Sequence, residues 1–182
     1  TRANTAIVHA GYDTQPGTLK ASLNLAGNAM YDQVCGDLAV DFDRCGTHVV
    51  ATTPDERPML DELHARGRRN GVPGLSLIDG AEMRRREPSV NPSTVGALFA
   101  SSGGIVDPFG LCIAAAECAV LNGVELALET EVTGILREGR RVAGVTVQRA
   151  TGARETIAAR WVVVAAGLWA DDLWRSAGLD GL

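Results

Sequence analysis

The sequence predicts an α/β chain in two parts, and three observations carry that expectation. Apolar residues recur at helical spacing from Leu19 to Leu38, and a second helix is framed by Asp107-Pro108 and Asn122-Gly123. A run apolar on both faces, Trp161 to Val164, has the pattern of a strand covered by other structure on each side. With 182 residues, 46% hydrophobic and only 4% aromatic, the chain is long enough for one full domain or two small ones around a real core.

The first stretch, NTAIVHAGYDTQPGTLKASL, sets His9 between apolar residues and an Ala10-Gly11 turn. From Pro16-Gly17 onward Leu19, Leu23, Ala26, Met30, Val34 and Leu38 fall at steps of three and four, which puts them on one helix face. DFDRCGTHVVAT then reads as a strand, β-branched at Val49 and Val50 and punctuated by Gly46, that stops at Thr53-Pro54. Asp55 to Asn70 is a helix with Leu60 and Leu63 facing in, closed by Gly71. LSLID and VGALFAS are short strands separated by the charged helical turn EMRRREP, which Pro88 ends. Val40 to Ile105 is therefore expected to form a small layer of strands with helices on one side.

A different rhythm follows. Asp107 is a carboxylate N-cap with Pro108 at the first helical position, Asn122-Gly123 is the matching stop, and Leu111, Ala114, Ala115, Cys118 and Leu121 make the stripe expected to be buried. VELALE alternates, with Val124, Leu126 and Leu128 on one side and Glu125, Ala127 and Glu129 on the other, as a strand does. REGRRVAGVTVQ reads as a hairpin returning through Val145 and Val147. ETIAARWVVVAAG is expected to run into a strand inside a covered, largely parallel sheet. It shrinks to Ala165, Ala166 and Gly167 at the carboxyl edge, where ligands approach open α/β sheets. No repeat or low-complexity tract interrupts the chain, and Gly104 to Asp107 marks a change of pattern without a linker.

Composition excludes several classes. The net charge is −5 with no concentrated basic face, so nucleic acid is not the expected partner, and ARGRRN and MRRREP read as solvated helix faces. The apolar runs are too short to span a bilayer and TRANTAIV lacks the regions of a signal peptide, which leads to the expectation of a cytoplasmic protein without a transmembrane segment. Cys35, Cys45, Cys112 and Cys118 form no C-x-x-C pair, and His9, His48 and His64 stand at no zinc spacing beside them. Reduced, mostly buried thiols and no metal are expected. Thr1 in place of methionine suggests a piece of a longer polypeptide.

NTAIVHAGYDTQPGTLKASL, CGTHVVAT, NGVPGLSLIDGAEMRRREPSV, SGGIVDPFGL, LETEVTGI and VVVAAGLWAD lie in one order along nearly the whole chain. That ordered set resembles the flavin-dependent oxidoreductases of the D-amino-acid oxidase type, in the branch of glycerol-3-phosphate dehydrogenase-like proteins and L-2-hydroxyglutarate oxidases. The resemblance implies a partial FAD-binding Rossmann-like domain joined to a mixed-sheet substrate domain. Its parts would be a flavin-proximal segment and helix (1–39), a substrate-side domain (40–106) and a partial FAD-binding domain (107–182). The family's amino-terminal G-x-G-x-x-G, which takes the pyrophosphate, has no counterpart in this sequence, nor has the carboxyl-terminal segment that closes over the flavin. The chain thus looks like the middle of such an enzyme. By the same resemblance the stretch with Asn4, His9, Ala10 and Gly11 passes the isoalloxazine ring and Val132 contacts adenine. Ala165, Ala166, Gly167 and Trp169 would pack against the adenosine and pyrophosphate end. The sequence departs from the pattern at Thr5-Ala6, where the family commonly has Ser-Gly, near Thr14, where a second aromatic is usual, and at His48, where a small or apolar residue stands.

What this implies chemically is hydride transfer from glycerol 3-phosphate or an L-2-hydroxy acid to flavin while a base takes the hydroxyl proton. His9 is the candidate base, because imidazole titrates near working pH. Lys20 is the candidate contact for the anionic group of a small hydroxy substrate. The electron acceptor would be a quinone or oxygen, and a quinone would bring membrane association with it. Each residue also has a plainer role: His9 in a turn held for its main chain, Lys20 as a solvated helix residue, Val132 and Ala165 to Gly167 in strand packing, Trp169 as a core anchor. Two other functions compete, a flavin-dependent amine or amino-acid oxidase and a cofactor-free binding module. The isolated chain is expected to be inactive and to bind FAD poorly, since the pyrophosphate loop supplies the main anion site.

Overall fold

In the computed structural model, which describes residues 4–179, the chain divides into two units, Thr1–Val124 and Glu125–Leu182. The first unit opens with β1 (Ile7–Val8) and α1 (Leu19–Asp37). Thr18 starts the helix by accepting the Ala21 N–H on its hydroxyl at 3.2 Å. The expected apolar stripe of α1 faces outward, with Leu19 72%, Leu23 60% and Met30 58% exposed. Its buried residues are instead Ala21, Asn28 and Cys35, seven apart. Cys35 packs with Val8 and Val106, and Asn28 bonds the main chain beyond β1, so small and hydrogen-bonding residues serve this face better than leucine.

The single strand expected over DFDRCGTHVVAT is two, β2 (Phe42–Asp43) and β3 (Thr47–Ala51), in different sheets. Gly46, left-handed at φ 77°, makes the break that redirects the chain between them. Then come α2 (Arg57–Asn70), β4 (Leu75–Asp79), α3 (Gly80–Arg86), β5 (Gly96–Ala100), β6 (Gly104–Val106) and α4 (Pro108–Leu121). Their caps are those of the sequence: Asp79 accepts from Glu82 N–H at 2.8 Å, Asp107 from Phe109 N–H at 3.0 Å, and Gly71 closes α2 at φ 81°. Two antiparallel sheets result, in the orders β1-β6-β2 and β3-β5-β4. The face of the second sheet that carries Ala51 and Leu98 meets Leu60 of α2, and Leu98 is fully buried there. On α4 the expected buried stripe is not formed: no residue is buried and Leu121 is 88% exposed. Only its Leu111 joins the cluster around Val8, Cys35 and Val106. The expectation of mostly buried thiols fails with it, since Cys35 alone is buried while Cys45 lies in the turn after β2 and Cys112 and Cys118 lie on α4.

In the second unit β7 (Thr130–Glu138), β8 (Arg141–Arg149) and β9 (Arg154–Ala158) form an antiparallel meander, as the hairpin signal predicts. After a 3-10 turn at Gly167–Trp169, α5 (Ala170–Ser176) docks on β7. Its Ser176 hydroxyl accepts the Ile135 N–H at 3.1 Å, and Arg137 donates to the Ala177 carbonyl at 2.7 Å. Two expected strands are absent. VELALE is irregular, with Leu126 53% and Leu128 73% exposed, and Trp161 to Val164 has no strand partner among the described residues, leaving Trp161 86% and Val163 91% exposed. An extended run becomes a strand only when neighbours take its N–H and C=O groups, and all pairings of this unit join β7, β8 and β9.

Candidate functional site

Around Asn4 to Gly11 the main chain is shaped by side-chain amides. Ala6 sits in the left-handed region at φ 58°, its N–H bonded to Asn4 Oδ1 at 2.9 Å and its carbonyl accepting Val106 N–H at 3.0 Å. The His9 carbonyl accepts from Asn28 Nδ2 at 3.0 Å. Two residues on, the Gly11 carbonyl accepts both Asn70 Nδ2 and the Thr14 hydroxyl at 3.0 Å. The turn after His9 is therefore held from α1 on one side and from the end of α2 on the other. Ala10 and Gly11 are buried within it, whereas the His9 side chain stays exposed.

That side chain lines a cavity of about 530 Å³ in the first unit, together with Asn4, Ile7, Tyr31, Leu111 and Cys112. The lining is mainly apolar, and His9, Tyr31 and Cys112 are the titratable side chains within it. Lys20, exposed in the first turn of α1, lines no part of it.

In the second unit a cavity of about 540 Å³ brings Val132 together with Ala166 and Trp169, which lie more than thirty residues further along the chain. Glu131, Thr133, Asp172 and Leu173 complete it, and the Trp169 ring is 68% exposed. Ala165 and Gly167 lie beside this lining without joining it, Gly167 adopting φ 57° to open the 3-10 turn. Among the described residues no Lys or Arg lines this cavity, and Asp172 pairs with Arg175 at 3.0 Å.

Sequence reasoning missed Asn28, Asn70 and Arg44, which build the turn, and the carboxylates Glu131 and Asp172. A helical asparagine carries no signal of its own, but an Asn on the buried stripe of a helix needs partners, and that requirement could have exposed Asn28. His48, on β3, stacks on Phe99 with ring centroids 4.7 Å apart, while the Arg86 guanidinium lies 4.8 Å from the same ring's centroid. Its Nε2 is buried without a hydrogen-bond partner, and burial, then the nearby Arg86 charge, hold its pKa below the ordinary 6.5. Among the described residues no helix is long and apolar enough to cross a membrane, and no group of three or more His, Cys, Asp or Glu could hold a metal.

Comparison with known proteins bears on this geometry. A family profile described as "FAD dependent oxidoreductase" matches residues 1–181. The glycerol 3-phosphate dehydrogenase of Caloramator mitchellensis is 40% identical over 173 residues, which is 95% of this chain and 35% of that protein. The L-2-hydroxyglutarate dehydrogenase of Escherichia coli K12 is 32% identical over 177 residues, 97% of this chain and 40% of that one. Among solved structures, the dithionite-reduced L-α-glycerophosphate oxidase of Mycoplasma pneumoniae with FAD bound superposes with a TM-score of 0.86 at 27% identity, covering 97% of this chain and 46% of that chain. The chain thus spans less than half the length of each of these relatives.

Proposed function

The chain belongs to the family of FAD-dependent oxidoreductases, and from that premise we propose that it supplies the flavin-side turn and the adenosine pocket of an enzyme that oxidises glycerol 3-phosphate or an L-2-hydroxy acid. The observation that carries this reading is the meeting of Val132, Ala166 and Trp169 around one cavity.

The donor sets fit FAD in part. An exposed indole, an apolar wall and two carboxylates suit a flat, uncharged base and ribose hydroxyls, which stack and donate. They do not suit a diphosphate, for which the cavity offers no cation. The apolar cavity at His9 suits the edge of a large ring system, with the His9 imidazole at the substrate side. When bound, FAD supplies the hydride-accepting chemistry.

The chain's own residues then do the rest. His9 takes the hydroxyl proton of the substrate as its carbon loses hydride, and its clamped carbonyl limits where the imidazole can go. The main chain from Asn4 to Gly11, which would hold the ring, has its shape already fixed, so little ordering would remain to be done on binding. Lys20, exposed in the first turn of α1, is offered as the contact for the substrate's anionic group. The acceptor of the electrons is a quinone or oxygen. The names of the two relatives above support a hydroxy substrate over an amino substrate.

The test is a flavin-fluorescence titration of the 182-residue chain beside a longer protein that contains it. The short chain is expected to bind FAD more weakly than about micromolar, because the diphosphate finds no anion site, and the longer protein to retain it. Trp169→Ala in the longer protein should weaken binding about tenfold or more, the worth of one base stacked on an aromatic ring. If neither protein binds, the flavin reading fails. Turnover of amino acids with no turnover of hydroxy acids would move the assignment to amine oxidation.

A further inference from the structure

Arg44, in the break between β2 and β3, reaches the His9 carbonyl through Asn28. Its guanidinium donates from Nε to Asp32 at 2.7 Å, from Nη1 to Asn28 Oδ1 at 3.0 Å and to the Ser102 carbonyl at 2.7 Å, and from Nη2 to the Asn28 carbonyl at 2.8 Å. Asn28, only 7% exposed, in turn donates Nδ2 to the Ser102 carbonyl at 2.8 Å and to the His9 carbonyl at 3.0 Å. Three segments meet in this network: α1, the turn that precedes β6, and the chain just after β1, where His9 stands.

The chemistry admits one orientation of the Asn28 amide. With Oδ1 toward Arg44, an acceptor meets a donor, and the amide N–H groups meet two carbonyls. Turned over, the NH2 would face a guanidinium that can only donate, and Oδ1 would face two carbonyl oxygens that can only accept. Asn28 itself has no preference between its two ends. The two carbonyls and the guanidinium select the same end, and Arg44 holds Oδ1 and the Asn28 carbonyl in the position from which Nδ2 reaches the His9 carbonyl.

We propose that Arg44 is a positioning residue for His9, acting by anchoring Asn28, whose amide holds the His9 carbonyl. This rests on the reading of His9 as the group that faces the substrate. Lysine at 44 would keep the positive charge beside Asp32 but lose the planar fork, which is what reads Asn28 Oδ1, the Asn28 carbonyl and Ser102 together. The pairing with Asp32 is peripheral, since that carboxylate is 63% exposed.

The experiment follows two signals by NMR in the 182-residue chain: exchange of the Asn28 side-chain amide protons and the His9 Cε1–H resonance. In Arg44→Lys the amide protons should exchange about tenfold faster, as loss of one net hydrogen bond allows, and the His9 resonance should shift and broaden. Asp32→Asn, which leaves the fork on Asn28, should change neither signal. Asn28→Asp is the second variant, and it answers the question if Arg44→Lys fails to fold. Its carboxylate keeps Arg44 paired but offers no donor to the His9 carbonyl, so the His9 resonance should move there too. An unmoved His9 resonance in folded Arg44→Lys, or in Asn28→Asp, or an equal change in Asp32→Asn, overturns the proposal. In a longer flavin-binding protein, Arg44→Lys should lower kcat about tenfold with KM little changed, the mark of a misplaced reacting group. His9→Gln separates the two readings: full activity there removes His9 from the chemistry and with it the purpose of the clamp, whereas the NMR result tests the clamp alone.

Discussion

Replacing His48 by leucine is expected to stabilise the protein, and to do so more in acid than at neutral pH. The imidazole Nε2 is buried with no partner, and leaving a polar atom so costs about 1–3 kcal/mol. Against that relief stands the loss of the stack on Phe99, at 4.7 Å between centroids, worth about 0.5–1.5 kcal/mol beyond burial. The net gain at pH 7.5 is therefore about 1 kcal/mol. The pH dependence follows from the charges around the ring: burial and the Arg86 guanidinium lower its pKa, and Glu87 opposes them more weakly. A base whose folded pKa lies below its unfolded value takes up its proton in the unfolded state first. Stability is then fully present above the unfolded pKa of about 6.5 and is lost as pH falls from there toward the folded value. One unit below 6.5 that loss has a ceiling of about 1.4 kcal/mol, reduced by solvent screening of a half-buried ring and by any proton the folded state still accepts. Leucine abolishes it, so the variant's advantage should widen by up to that amount between pH 7.5 and 5.5. Urea unfolding followed by circular dichroism at both values measures this. A variant less stable than the parent at pH 7.5, or an advantage equal at the two values, refutes the reasoning.

Leu98→Ala removes the centre of β5 from a site where it is fully buried against Ala51 and Leu60, and should cost about 3 kcal/mol, lowering Tm by roughly 10 °C in a calorimetric scan. Ala6→Gly relieves a left-handed alanine at φ 58°, and after the greater entropy of unfolded glycine is charged against it the gain should be about 0.5–1 kcal/mol, read as a rise in the urea midpoint without a change in slope.

Local signals were legible wherever a residue acts through its own backbone. Asp79 and Asp107 cap helices, Gly71 ends one, and the hairpin of β7 and β8 forms where alternation and turn residues agree. Burial was less legible, because periodicity identifies a face without saying what it meets. On α1 the leucine stripe faces out and Ala21, Asn28 and Cys35 face in, since the neighbouring main chain lies close and wants small groups and donors. The candidate site divides in the same way. Val132, Ala166 and Trp169, candidates through the resemblance, line one cavity, and His9 and Asn4 line another. Asn28, Asn70 and Arg44 were not foreseen, because each acts on a carbonyl distant in sequence, 19 residues away for Asn28 and His9 and 59 for Asn70 and Gly11.

The acidic lining of the second-unit cavity has an unusual consequence for salt. Sites that take phosphates through Lys, Arg or a helix start weaken as ionic strength rises, because screening removes attraction. Here Glu131 and Asp172 line the cavity, no Lys or Arg among the described residues does, and the Arg175 paired with Asp172 offsets only one of the two. A nucleotide phosphate drawn near would be repelled by the lining, and screening would remove that repulsion instead. At a separation near 8 Å, about one Debye length at physiological ionic strength, raising salt severalfold suppresses most of the interaction between exposed charges. Adenosine, without a phosphate, should bind the 182-residue chain with an affinity indifferent to salt, while ADP should bind more weakly than adenosine in dilute buffer and approach it as salt is raised. Trp fluorescence titrations with the two ligands at low and high salt measure the difference. ADP binding that is tighter than adenosine binding and falls with salt would mean that a cation outside the lining reaches the phosphates, and the division of the cofactor's recognition into a neutral base pocket and a separate anion site would have to be abandoned.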